Sequence, residues 1–331
     1  MRIAPSCLAL AALLASGCTA PSTASLPLIS RMRPYPPVEG LEKPELAARA
    51  RGAVLSASGE KPIAITFLAT GSGRDHPIRG EVVALAGPTP DGRFVYAVRD
   101  ERPGLALRRA DVRGADMPVV RCARPIEALA VSPDAEWVAL LAPFEAGDAR
   151  SRGGVLRELV LVSLNSGDVR ACGVACWKAT PAWIDRTFLA CVVAREDGAR
   201  SIAIVDRADP ASVRVLGPGD LVLADPGGQA VIAFRRGEDR LDAVRLPLDG
   251  GAEQPLAFRG GIQPLACLGD GLVVSFSAPT LGIEPQFEFD LFGPQIALAT
   301  IKLHDLGTGG FHTLDARASP RRLWSAGRME P

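Results

Sequence analysis

Apolar residues recur along this chain in short unbroken runs, separated by turns rich in glycine, proline and aspartate. Glu81-Val-Val-Ala-Leu-Ala86 is one such run, and Phe94-Val-Tyr-Ala-Val98 is the next. Between them stands Pro88-Thr-Pro-Asp-Gly92. Pro90 presets φ, Asp91 can bond its own backbone and Gly92 accepts positive φ, so the unit predicts strand, tight turn, strand. Aromatic and β-branched residues at consecutive positions of the second run predict a strand buried on both faces. Long stretches with helical periodicity are absent.

The unit repeats. Its further copies are centred on Ser132-Pro-Asp134, on Pro181-Ala-Trp-Ile-Asp185, on Asp225-Pro-Gly227 and on Gly269-Asp-Gly271. The aligned positions Asp91, Asp134, Asp185, Gly227 and Asp270 step by 43, 51, 42 and 43 residues. A period of roughly 40–45 residues with four strands in each unit is that of a β-propeller blade. The longer step coincides with a polar, glycine-rich insertion at residues 144–154. Ser-Gly and Asp-Gly-Gly turns at 166–167 and 249–251 mark hairpins between the later strands of the blades. The fold class predicted is therefore all-β: a propeller of four-stranded blades, six in number, with five or seven as alternatives. The N-terminal strands near 53–67 and the final segment after Thr313 are expected to share one blade and close the ring, which removes open sheet edges.

The N-terminus departs from this pattern. A basic Arg2, an apolar run at residues 7–14 and the small residues Ala15-Ser-Gly-Cys18 have the form of a secretory signal, too short to span a membrane. The end of that stretch resembles a bacterial lipobox, in which the cysteine becomes the lipidated mature N-terminus. Residues 1–17 are thus read as a signal peptide and residues 18–50 as the lipidated Cys18 with a Pro/Ser-rich tether. Residues 51–331 are assigned to the propeller, and a short helix is expected near 43–51. Thr19 follows Cys18, without an aspartate to signal retention in an inner membrane, so an outer-membrane anchor is the expectation.

Composition narrows the partners. Hydrophobic residues make up 47% and charged residues 22%, enough for a packed body. Net formal charge is zero, so no basic surface argues for nucleic acid.

The turns Thr89-Pro-Asp-Gly92 and Ser132-Pro-Asp134, with Pro181-Ala-Trp183, Asp185 and Leu189-Ala190, resemble the WD40-like propeller repeat of the TolB type. The likeness spans residues 80–276 and implies the architecture. It assigns neither a partner nor a role.

No motif announces catalysis. His76, His304 and His312 lack ligand spacing, and neither a Gly-x-Ser-x-Gly elbow nor a Walker-type phosphate loop is present. The recurring Asp91, Asp134, Asp185 and Asp270 read as turn residues. No catalytic residue, metal site or cofactor is assigned. Beyond the leader and Cys18, five cysteines remain. Cys122, Cys172 and Cys176 are the candidates for a disulfide, and Cys191 reads as a plain buried thiol. A second insertion, residues 279–294, carries Phe287, Phe289 and Phe292 among Glu284, Glu288 and Asp290. It is either a longer strand pair or an aromatic loop that grips a partner.

Three functions remain. The first is a lipid-anchored, non-catalytic module that binds another envelope protein. The second is a propeller hydrolase or lyase, which would draw acidic residues from several blades to one mouth of the channel. The third, a carbohydrate-binding protein, fits poorly with 5% aromatic residues.

Overall fold

A computed structural model describes residues 42–145, 147–152, 154–237, 241–258, 261–277, 299–318 and 323–329. Its strands form six antiparallel four-stranded blades. Blade 1 contains β1 (Gly52–Ala57), β2 (Ile63–Phe67) and β3 (Gly73–His76), with β24 (Leu323–Arg328) as its innermost strand. Blade 2 is β4 (Glu81–Ala86), β5 (Arg93–Arg99), β6 (Leu105–Asp111) and β7 (Asp116–Cys122). Blade 3 is β8 (Ala128–Val131), β9 (Trp137–Pro143), β10 (Arg157–Ser163) and β11 (Val169–Cys176). Blade 4 is β12 (Ala182–Trp183), β13 (Phe188–Ala194), β14 (Arg200–Asp206) and β15 (Val213–Pro218). Blade 5 is β16 (Leu221–Ala224), β17 (Ala230–Arg236), β18 (Leu241–Pro247) and β19 (Gln254–Leu256). Blade 6 is β20 (Gly261–Gly269), β21 (Leu272–Ser277), β22 (Ala299–Asp305) and β23 (Phe311–Ala318).

The innermost strands neighbour one another around a full circle, β24 beside β4, β4 beside β8, and so on through β20 back to β24. The ring closes where β24 pairs with β1, Val54 lying opposite Ala326 and Leu55 opposite Ser325. The expected sharing of one blade by the two ends of the chain is therefore present. Its boundary differs: residues 311–318 complete blade 6 beside β22, and only β24 crosses into blade 1.

Burial explains why the strands read as continuous apolar runs. Along β5, Phe94, Tyr96 and Val98 pack into the layer shared with blade 1, while Val95 and Ala97 pack into the layer shared with blade 3. Equivalent apolar layers fill the remaining gaps between blades. A strand with neighbours on both faces has no polar side to display.

The turns behave as their sequences predict. Thr89 Oγ1 donates to Asp91 Oδ1 at 2.6 Å and accepts from Arg93 N at 3.1 Å. Ser132 and Asp134 repeat this arrangement, with Trp137 N donating to Ser132 Oγ at 3.0 Å. Asp185 Oδ1 accepts from Thr187 N and Phe188 N. In blade 5 Gly227 stands at the aligned position, but the carboxylate is supplied by Asp225, whose Oδ1 accepts from Gly227 N at 3.5 Å. Asp270 and Gly271 both have positive φ, 50° and 70°, as a two-residue hairpin turn requires.

The expected short helix is α1 (Glu45–Arg49). It belongs to the body and not to a free tether. Leu46 and Ala50 are buried in the layer between blades 6 and 1, and Arg49 Nη1 pairs with Asp305 Oδ2 at 3.3 Å. Docking begins as early as Glu42, which forms a parallel bridge with Phe311. The tether read from composition as reaching residue 50 thus gives way to packed chain at residue 42, because two apolar side chains find a layer to enter. No helix among the described residues is long and apolar enough to cross a membrane.

Candidate interaction surface

In a four-stranded antiparallel blade, the first and third connections emerge on one face of the ring. The second connection, and the link to the next blade, emerge on the other. The first face holds the aspartate turns and α1, whose Arg49 also reaches the Asp270 carbonyl oxygen at 3.4 Å. The carboxylates of Asp91, Asp134, Asp185 and Asp225 are each engaged with nearby backbone on this face.

The second face is different. In blades 1, 2, 4 and 5 the second connection is short: residues 58–62, 100–104, 195–199 and 237–240. In blade 3 it runs from 144 to 156. The extra residues are held in place. Phe144 and Leu156 are buried at the two ends. Asp148 caps a single 3-10 turn, Ala149–Ser151, by accepting from Arg150 N at 2.8 Å. Arg150 pairs with Asp148 at 2.7 Å, lies over the Phe144 ring at 5.0 Å, and donates to the Gly173 carbonyl at 3.3 Å. Arg152, at φ 44°, donates to the Arg195 carbonyl of blade 4 at 3.2 Å. The side chain of Val155 is left 49% exposed at the surface.

Around this connection the second face carries paired charges drawn from different blades. Glu81 at the start of β4 pairs with Arg99 at 2.8 Å. Glu127, just ahead of β8, receives Arg157 at 2.7 Å and Lys178 at 3.4 Å. Glu158 pairs with Arg124 at 2.7 Å. Asp220, just ahead of β16, pairs with Arg200 at 3.0 Å, and Arg200 lies over the Trp177 ring at 4.4 Å. Burial pushes the Glu127 carboxyl up, but Arg157 and Lys178 more than offset it and hold the group below the usual carboxylate range. Acidic residues from several blades do converge on one face, as the enzyme reading required. Each of these four is neutralised by arginine, so the arrangement is a fixed, mixed-charge surface and not a bare acidic cluster.

A hydroxyl and an imidazole meet elsewhere. Ser275 Oγ and His304 Nε2 are 2.8 Å apart. Both residues are buried in blade 6, with Phe258 4.8 Å from the imidazole. Burial, with Lys302 nearby, drives the His304 pKa down to about 3, so the ring is neutral. Both side chains are closed off from solvent. Among the described residues no three His, Cys, Asp or Glu side chains converge as a metal-ligand set.

The residues singled out in the sequence are distributed as follows. Cys18 and the phenylalanines 287, 289 and 292 lie outside the described residues. The ends of the second insertion are described: β21 leaves blade 6 at Ser277, opposite Thr300 of β22. Those strand ends lie at the same face as residues 144–156. Cys122, Cys172 and Cys176, grouped in the sequence as disulfide candidates, are all unbridged. Cys122 sits on β7, while Cys172 and Cys176 lie four residues apart in one extended strand, β11. Cys191 is buried, as expected, but the fold sets it beside Cys176 and Cys172 in the layer between blades 3 and 4. The ion pairs of the second face escaped sequence reasoning, because their partners are 18 to 51 residues apart and meet only after the blades form.

No protein-family model matches the chain, and no curated protein matches it. Solved structures do. TolB from Acinetobacter baumannii superposes with a TM-score of 0.59 at 14% identity, over 84% of this chain and 67% of that one. A putative TolB from Agrobacterium tumefaciens gives 0.54 at 17% identity, over 85% and 99%. An oligogalacturonate lyase in complex with manganese gives 0.51 at 12% identity, over 77% and 70%. At these identities the likeness shows the fold, a TolB-like propeller.

Proposed function

We propose that this chain is a lipid-anchored β-propeller of the cell envelope that binds another protein through the face bearing residues 144–156. The observation that carries the proposal is the blade 3 connection itself. Four other blades close the same turn with four or five residues, so the additional chain is not needed to complete the ring. It is nonetheless held in one shape by Asp148, Arg150 and Arg152 and presents an exposed apolar side chain, Val155. A preorganised loop on a rigid scaffold loses little entropy on binding. Interspersed arginines and carboxylates around it suit a polar rim and select among partners by charge complementarity. The strand ends that flank the second insertion, Ser277 and Thr300, lie at the same face, and the insertion's sequence carries Phe287, Phe289 and Phe292, a residue type suited to an anchoring role. The acyl chains on Cys18 would hold the protein to the outer membrane.

The test is the double variant Arg152→Glu with Val155→Asp. Capture of envelope proteins by the wild type and its loss in the variant, at an unchanged melting temperature, is the expected result. Equal capture by both proteins overturns the assignment of this face.

A further inference from the structure

The outermost strand of each blade has one backbone edge without a ladder partner, and such an edge invites another chain to add to the sheet. Among the described residues, five of the six outer edges carry a device that blocks this. β3 has only four residues, Arg74 and Asp75 among them. β7 contains Pro118, and the three-residue β19 contains Pro255. β11 meets β13 at Cys176, and Arg150 donates to its Gly173 carbonyl at 3.3 Å. The start of β23 is covered by Glu42 and Lys43, with Lys43 N donating to the Phe311 carbonyl at 2.7 Å. β15 is different. Val213, Arg214 and Val215 are all exposed and pair with β14 on one side only. The bulge in that pairing and the strand's proline, Pro218, come only after Val215. Val213 is 39% exposed and Val215 54%, and no other outer strand shows two large apolar side chains at the surface among the described residues.

The two faces of this edge differ in chemistry. Alternation along the strand places Val213 and Val215 on one face and Arg214 on the other. Arg214 reaches toward blade 5, where its Nη1 donates to the Leu248 carbonyl. A cavity of about 250 Å³ opens there, lined by Arg214, Val215 and Leu216 of blade 4 and by Leu246, Pro247 and Glu253 of blade 5. Small-molecule sites are larger, roughly 300–1,000 Å³, so this one is of a size for single side chains. Glu253 is already paired, with Arg235 at 2.6 Å. Arg214 has no carboxylate partner among the described residues, so the uncompensated charge at this edge is positive. We propose that β15 is a docking edge for an extended segment of another protein, which adds to blade 4 as a further strand and carries an acidic residue between two apolar ones. Main-chain hydrogen bonds to β15 hold the segment, and its side chains set the choice of partner. The two apolar residues lie beside Val213 and Val215, and the carboxylate between them lies over the cavity against Arg214. The edge is on the outer rim of the ring, and the inference stands independently of the function proposed for the face bearing residues 144–156.

The probe is a fluorescein-labelled peptide, Ser-Thr-Val-Glu-Val-Thr-Ser, titrated with the full chain in detergent and followed by anisotropy. One companion peptide carries lysine in place of the glutamate, and another carries a methyl group on every backbone nitrogen. Backbone amide exchange of the protein is measured with and without peptide. The glutamate peptide should bind about tenfold more tightly than the lysine peptide, the discrimination expected of one close charge pair. Arg214→Glu, at an unchanged melting temperature, should reverse that order. The methylated peptide should not bind, and the glutamate peptide should slow exchange of the outward amides of residues 213–216. No binding of the glutamate peptide at millimolar concentration, equal binding of either companion, or slowed exchange confined to strands other than β15 overturns the proposal. Slow exchange of those outward amides in the protein alone also overturns it, because the edge would then be covered already, by this chain or by a second copy. The peptide comparisons use wild-type protein, so they decide the matter even where Arg214→Glu fails to fold.

Discussion

Gly327 approaches Pro88 so closely that a β carbon on the glycine would overlap the proline's carbonyl oxygen. The contact is between the inner strand of blade 1 and the first turn of blade 2, and Ser325 Oγ reinforces it by donating to the Gly87 carbonyl at 2.7 Å. It is the point where the C-terminal strand, having closed the ring against β1, is wedged into its other neighbour. Gly327→Ala is expected to destabilise the protein by roughly 1–3 kcal/mol through overpacking, read as a lower midpoint in urea. An unchanged midpoint would mean that the two inner strands do not meet as described.

The buried histidines set the acid response. His304 and His76 both have pKa values below the ordinary 6.5, driven first by burial. Between pH 6.5 and the folded value the unfolded chain binds the extra proton, so stability falls as pH falls. For His304, with a folded value of about 3, the slope approaches roughly 1.4 kcal/mol per pH unit. Depressed carboxylates such as Glu127, whose ordinary value is 4.5, add their loss only below that pH. The window between pH 4.5 and 6.5 therefore isolates the histidines. Urea midpoints for wild type should decline across it, and His304→Asn should decline less steeply. Parallel curves would place His304 in contact with solvent.

The indole of Trp183 donates from Nε1 to the Ala130 carbonyl at 3.0 Å, a buried bond that ties the inner strand of blade 4 to that of blade 3. Trp183→Phe keeps the ring and removes the donor. The expected cost is about 1 kcal/mol, the net worth of one buried hydrogen bond. A neutral substitution would show that water replaces the bond.

The aromatic insertion gives a separate test of the binding reading. Phe287→Ser with Phe289→Ser should preserve the melting temperature and abolish partner capture. A fall of many degrees would instead make those phenylalanines part of the blade's own packing. Membrane attachment is checked by Cys18→Ser, which should release the protein from the membrane fraction and remove the acyl mass.

How far the sequence could be read depended on how local each determinant is. The turns of blades 2, 3 and 4 were legible because Thr89 with Asp91, Ser132 with Asp134, and Asp185 act within a few residues of themselves. Blade number followed from their spacing, and shared closure by the two ends followed from the leftover chain. In blade 5 Gly227 does take the aspartate place, followed by Gly228 at φ 69° as Asp91 is followed by Gly92 at φ 80°, while the carboxylate stands two residues earlier, at Asp225, in the place of Thr89 and Ser132. The packing of α1 was missed because five residues carry almost no periodicity, and Leu46 finds its place only between two finished blades. The placing of Cys176 and Cys191 in one apolar layer, and the pairing of Glu127 with Arg157 and Lys178, depend on how one blade leads into the next. Neither spacing nor composition encodes that geometry.

Site-specific photocrosslinking tests the central claim most directly. A photoreactive phenylalanine analogue is placed at Val155, on the proposed binding face, or at exposed Arg113 in a turn of blade 2 on the opposite face. Each protein is expressed in the envelope and irradiated. A discrete adduct with one other protein from position 155, and none from position 113, is the predicted result. An adduct from position 113 alone, or none from either, would contradict the account.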